Sequence, residues 1–154
     1  MAVNIVLIEP EIPQNTGNIA RTCVVSGSVL HVVKPMGFSL DEKHVKRAGL
    51  DYWDELEIHE YENIEELYEK NKDAVFWYFS SKVTRNFNEP QYEENCFLVF
   101  GKETKGLPKE LLDKNKEHCV RIPMQKNQRC LNLSNAACVA VYEVLRQHEY
   151  FDMK

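Results

Sequence analysis

The sequence predicts an α/β protein, a mostly parallel sheet flanked by helices, on three observations. Short β-branched or aromatic runs alternate with helix-patterned stretches along most of the chain, and the connections between them are short. Two of those runs, Ala74 to Phe79 and Cys96 to Phe100, are continuously apolar, the pattern of strands covered on both faces. No repeat, linker or biased stretch interrupts the 154 residues, so a single domain over 1–154 is expected.

Val3 to Ile8 reads as the first strand, stopped by Glu9-Pro10-Glu11-Ile12-Pro13, which neither a helix nor a central strand can absorb. From Asn15, small and apolar residues at Thr16, Ile19, Ala20, Cys23 and Val24 give helical spacing, with Asn15 or Thr16 as the cap and Gly27 as the stop. Val29 to Val33 is the second strand, closed by Pro35 and Gly37. Asp41 to Ala48 reads as a short polar helix ended by Gly49, Leu56 to His59 as a strand and Asn63 to Lys72 as a surface helix. After the two apolar strands, Pro108 to Asp113 opens a helix and His118 to Ile122 forms a strand. Ser134 to Gln147 is the closing helix, with Ala136, Ala137, Ala140, Val141, Val144 and Leu145 on one side. Ligands of such sheets bind beyond the carboxyl ends of the strands.

Charge is uneven. Residues 41–73 hold 12 of the 24 acids and 5 of the 19 bases, a local −7 that leaves the other 121 residues at +2. Residues 101–129 carry 8 bases against 4 acids, which permits a polyanionic partner and is equally an ordinary solvated surface. The 5 cysteines form no C-x-x-C pair, so buried free thiols are expected rather than a disulfide framework or a zinc site, and no metal is expected elsewhere. The chain has no signal-peptide pattern and no apolar run long enough to span a membrane; a cytoplasmic protein is expected.

Several common sites are absent. No G-x-G-x-x-G occurs, and Gly101 and Gly106 are followed by Leu107-Pro108 where a phosphate-binding loop needs Lys-Ser/Thr. Neither H-E-x-x-H nor G-x-S-x-G is present. Three polar segments flanked by strands remain: Glu9-Pro10-Glu11-Ile12-Pro13-Gln14-Asn15-Thr16-Gly17-Asn18 leading to Arg21; Gly101-Lys102-Glu103-Thr104-Lys105-Gly106-Leu107-Pro108; and Ile122-Pro123-Met124 followed by Cys130-Leu131-Asn132-Leu133-Ser134-Asn135.

Together with Met36-Gly37-Phe38 and Arg47-Ala48-Gly49-Leu50-Asp51-Tyr52, these segments resemble the signature motifs of the SPOUT class of RNA methyltransferases over essentially the whole chain. The resemblance is closest to the short, single-domain 2′-O-ribose methyltransferases of the tRNA wobble nucleotide, a cytidine or uridine. It implies a SPOUT α/β fold with a C-terminal trefoil knot, S-adenosyl-L-methionine as methyl donor with S-adenosyl-L-homocysteine as product, a homodimer and a tRNA partner. Two alternatives share the fold: a non-enzymatic RNA-binding module and a nucleotide-sensing domain.

The resemblance places Arg21 and Asn132 in catalysis. It places Phe79, Gly101, Glu103, Gly106, Ile122, Met124, Cys130, Leu131 and Ser134 around the donor. Each also has a plain structural role open to it: turns for the glycines, a core ring for Phe79, and a helix cap for one of Asn132, Ser134 and Asn135. Glu103 is open to three roles, orienting the ligand, meeting a partner subunit or capping a turn. Arg21 does not readily give up a proton, so it is expected to hold phosphate or stabilise a developing alkoxide rather than act as a base. RNA is expected on a basic surface of Lys82, Arg85, Lys105, Lys126 and Arg129 built across two subunits. Cys130 stands where relatives carry serine.

Overall fold

The computed structural model describes residues 1–40 and 53–154. The helix expected at 41–48 and the motif at 47–52 lie outside the described residues. Six strands form one sheet in the order β3-β2-β1-β5-β4-β6. They are β1 (Asn4–Ile8), β2 (Val29–Val33), β3 (Ile58–Tyr61), β4 (Phe76–Phe79), β5 (Phe97–Phe100) and β6 (Cys119–Val120). Every pairing between them is parallel. Among the described residues the α-helices are α1 (Pro13–Ser26), α2 (Ile64–Lys70), α3 (Lys109–Lys114) and α4 (Leu133–Gln147).

Alternation along each strand builds two cores. In register, Ile5 lies opposite Leu30 and Leu98, and Leu7 opposite Val32 and Phe100. These residues, with Trp77 and Phe79, pack on Ile19, Ala20 and Cys23 of α1 and on Ala137, Ala140 and Val144 of α4. Val6, Ile8, Tyr78 and Val99 point the other way and meet Leu67 of α2 and Leu112 of α3. The inner strands β1, β4 and β5 are covered on both faces, which is why they read as largely apolar runs, whereas the edge strand β3 exposes His59 and Glu60.

Two polar side chains, Asn4 of β1 and His31 of β2, are buried inside the sheet and bond to each other. His31 is 4% exposed, with Nδ1 at 2.8 Å from the Tyr61 hydroxyl and Nε2 at 2.9 Å from Asn4 Oδ1. An amide oxygen only accepts, so Nε2 carries the hydrogen and Nδ1 accepts from Tyr61. Burial, with the neighbouring His59, pulls the His31 pKa down to about 3.

Several element ends differ from expectation. Helix α1 starts at Pro13, two residues early; Ile12 is its N-cap and no side chain of its own segment caps it. Asn15 and Thr16 lie inside its first turn. Gly27 ends it as expected, in the left-handed region at φ 67°. Asn63 caps α2 through its side chain, accepting the N–H of Glu66 at 2.9 Å. The strand expected over 118–122 shortens to two residues: His118 belongs to a 3₁₀ turn and its ring stacks on Trp77 at 4.5 Å. Arg121 instead pairs with an earlier loop, its N–H donating to the carbonyl of Arg85 and its own carbonyl accepting from Phe87, both at 2.8 Å. The expectation of buried thiols holds for Cys23, Cys96 and Cys119; Cys138 is half-buried and Cys130 is exposed, because the 124–132 segment is irregular surface chain.

Candidate active site

Parallel strands bring all their carboxyl ends to one edge, and the order changes direction at β1, where β2 leaves on one side and β5 on the other. A cleft of about 850 Å³ opens at that edge. Its walls come from the start of α1, the loops after β4 and β5, the segment after β6 and the start of α4.

Most of the expected donor residues meet there. Phe79, Gly101, Glu103, Gly106, Ile122 and Met124 line the cleft, and so do Cys130, Leu131 and Asn132. The Phe79 ring stacks on Phe100 at 4.8 Å between centroids, forming an apolar floor. Both glycines have intrachain reasons to be glycine. A Cβ on Gly101 would lie 2.1 Å from the Gly106 carbonyl carbon and 2.3 Å from Leu107 N, and Gly106 turns at φ +66°. The loop between them closes on itself, the Gly106 N–H donating to the Lys102 carbonyl at 2.8 Å.

Glu103 takes a capping position at the start of α1 and also lines the cleft. One carboxylate oxygen accepts the N–H of Glu11 at 2.8 Å, and the other accepts the N–H of Ile12 at 2.7 Å and the Asn15 side-chain amide at 3.2 Å. The anion therefore sits at the positive end of α1, whose own first turn contains no acid. Around it the two loops interlock: Glu11 accepts from the Thr104 N–H at 3.0 Å and the Thr104 hydroxyl at 2.8 Å, and Lys102 pairs with Glu9 at 3.6 Å.

Asn132 caps α4. Its Oδ1 accepts the Ser134 N–H at 2.9 Å and the Ser134 hydroxyl at 2.6 Å, so the polar atom it can offer a ligand is its Nδ2 hydrogen-bond donor. Ser134 does not line the cleft; it acts on the site by fixing that amide. Cys130 Sγ lies 3.5 Å from the Ser81 hydroxyl. Of the basic residues, Lys82, Lys105 and Arg129 reach the cleft wall, whereas Lys126 and Arg85 do not. Arg85 is held by the chain itself, donating to the Glu117 carbonyl at 2.9 Å and lying over the Trp77 ring at 5.7 Å.

Arg21 is outside the cleft of its own chain, on the exposed side of α1. Six residues beyond Asn15, it is about 9 Å further along the helix axis and roughly a third of a turn round from it. Sequence reasoning passed over Ile12, Ser80, Ser81 and Thr104, all of which line the cleft. For Ser80 and Ser81 the available signal was their place directly after a buried strand. Among the described residues no group of three or more His, Cys, Asp or Glu could hold a metal, and no helix is long and apolar enough to cross a membrane.

A six-stranded parallel sheet with helices on both faces and a mostly apolar cleft at its carboxyl edge defines an α/β protein built to take a small organic ligand there. Comparison places it more closely. The chain belongs to the SpoU rRNA Methylase family, whose model matches residues 2–142. A protein of Geobacillus stearothermophilus is 48% identical, covering 97% of this chain and 98% of its own. The tRNA (cytidine(34)-2′-O)-methyltransferase of Methylovorus glucosotrophus is 45% identical over 96% of each chain. A structure solved for insight into 2-OH methylation of C/U34 on tRNA superimposes with a TM-score of 0.91 at 38% identity, covering 96% of this chain and 97% of that one.

Proposed function

We propose that the protein is a homodimeric, cytoplasmic tRNA 2′-O-ribose methyltransferase that uses S-adenosyl-L-methionine to methylate the wobble cytidine or uridine. The observation that carries this reading is the convergence of the second and third sequence segments on one cleft. Support comes from likeness along the full length to a relative named for that reaction.

The cleft suits the donor. Its volume lies in the range of small-molecule sites, roughly 300–1,000 Å³. Phe79, Phe100, Ile122 and Met124 give an apolar wall for an adenine, while the Asn132 amide, the Ser81 hydroxyl and the first turn of α4 give donors for an amino-acid carboxylate. Bound there, S-adenosyl-L-methionine supplies an electrophilic methyl group on a sulfonium.

The chain must then align a ribose hydroxyl and ease the loss of its proton. Among the described residues no histidine lines the cleft. A guanidinium is a poor proton acceptor, so the part of Arg21 is to hold a phosphate or the developing alkoxide in its planar fork while the proton leaves to phosphate or water. Because Arg21 lies outside its own cleft, it serves the cleft of a second subunit. The surface for that subunit is an apolar stripe on two packed helices: Val25, one turn past Arg21, is 56% exposed, and Val139 and Tyr142 of α4 are 42% and 38% exposed. Lys82, Lys105 and Arg129 at the cleft wall, with Lys126 on the adjoining loop, supply positive charge for the RNA backbone. The same reading includes a C-terminal trefoil knot; the chain leaving β6 is tied to an earlier segment by the pairing of Arg121 with the 85–87 loop.

The test is transfer of a labelled methyl group from the donor to unmodified tRNA by the purified protein. Label should appear in tRNA and survive base removal; a protein that binds donor and transfers nothing to any tRNA is the contrary result, and would favour an RNA-binding module of the same fold.

A further inference from the structure

Glu11 is outside the cleft, yet it is tied to the loop that forms one of its walls. Both bonds from Thr104, the N–H at 3.0 Å and the hydroxyl at 2.8 Å, end on the same oxygen, Glu11 Oε1. One residue back along the loop, Glu103 returns the tie by accepting the Glu11 N–H at 2.8 Å. The clasp therefore runs in both directions, from the 101–106 loop to the start of α1 and back. We infer that Glu11 is a positioning residue for the methyl donor: through Thr104 it holds the 101–106 loop in the shape that receives the ligand.

Three features of the chain support a dedicated role. Thr104 lines the cleft, and the Glu11 side chain reaches the cleft through it. Within this loop, main-chain closure is limited to the Gly106 to Lys102 bond, so the outer turn takes its support from the 9–12 segment. Glu11 is also held in its accepting, charged form, since the Thr104 bonds lower its pKa below the ordinary carboxylate value. Glu103 caps α1 through bonds of its own, separate from those that Thr104 makes to Glu11.

The inference rests on the donor reading of the cleft. It is tested by donor titration calorimetry and steady-state kinetics on wild type, Glu11→Ala, Glu11→Gln, Thr104→Ala and Glu11→Ala/Thr104→Ala. Glu11→Ala should raise the donor Kd and KM by about tenfold, with kcat at saturating donor and KM for tRNA within about twofold of wild type. Glu11→Gln should restore affinity to within about threefold, because an amide oxygen can accept both Thr104 bonds where Oε1 did. The double variant should bind no more weakly than Glu11→Ala, since the Thr104 hydroxyl acts through Glu11. Unchanged donor affinity in Glu11→Ala overturns the inference and leaves the donor site standing. Parallel losses in kcat, both KM values and Tm, unrelieved in Glu11→Gln, overturn it in favour of a merely structural role. A wild-type protein that binds no donor overturns the site itself and the inference with it.

Discussion

The Glu103 carboxylate accepts the main-chain N–H of Ile12 at 2.7 Å, across 91 residues of sequence. That bond makes the loop after β5 the cap of the helix after β1, so the wall of the cleft and the helix carrying Arg21 share one fixed point. Glu103→Ala leaves the N–H groups of Glu11 and Ile12 and the Asn15 amide without their acceptor. Loss of a helix-capping anion costs about 2 kcal/mol, which for a domain of this size lowers Tm by roughly 4–8 °C. Thermal denaturation followed by circular dichroism checks this, with Glu103→Gln expected to lie between the two.

Replacing Arg21 by Ala or Lys should reduce methyl transfer by at least about a hundredfold while leaving donor affinity within a few-fold. A point charge cannot reproduce a planar fork on phosphate or alkoxide, and Arg21 is not part of the donor cleft of its own chain. Donor calorimetry beside single-turnover transfer separates the two effects. Substantial turnover in Arg21→Lys would remove the fork from the mechanism.

Cys130 lines the cleft on exposed chain, and its nearest polar partner is the Ser81 hydroxyl at 3.5 Å, a weak contact. On the donor reading proposed above, the position would serve through its backbone and its small size. Cys130→Ser and Cys130→Ala should keep activity within roughly tenfold, about 1.4 kcal/mol in the barrier. Asn132→Ala should lose far more, because it removes both the cap on α4 and the one amide donor at that end of the cleft. Initial rates with saturating tRNA make the comparison.

Lowering the pH should destabilise the fold through His31. Its folded-state pKa, about 3, lies below the ordinary value of 6.5, so the unfolded chain takes up the proton first. Stability from this group is complete above pH 6.5 and falls by up to about 1.4 kcal/mol per pH unit as the pH drops toward 3. Urea midpoints between pH 8 and pH 5 should show that loss, and His31→Gln should flatten it while lowering stability at neutral pH.

The inner strands β1, β4 and β5 were legible because they are buried and read as largely apolar runs, and β2 was expected over Val29 to Val33 and is found there. Asn63 was legible as a cap because the signal is local. What stayed hidden depends on distant partners. The start of α1 at Pro13 had a local signal in proline at the first helical position, but its acceptor, Glu103, comes from another loop, and the nearby Asn15 and Thr16 have the residue types of caps. His118 was taken for strand, but its ring has Trp77 to stack on, and β6 shortens. For the site, motif order brought the donor residues to one cleft, whereas the placement of Ser134 behind Asn132, of Arg85 over Trp77 and of Arg21 away from the cleft needed coordinates.

Nucleoside mass spectrometry of tRNA, before and after incubation with the protein and S-adenosyl-L-methionine, tests the central claim most directly. The account predicts a gain of one methyl per tRNA on the ribose of the wobble cytidine or uridine, dependent on Arg21 and absent without donor. No new 2′-O-methylated nucleoside, or a methyl group on a base instead of a ribose, would contradict it.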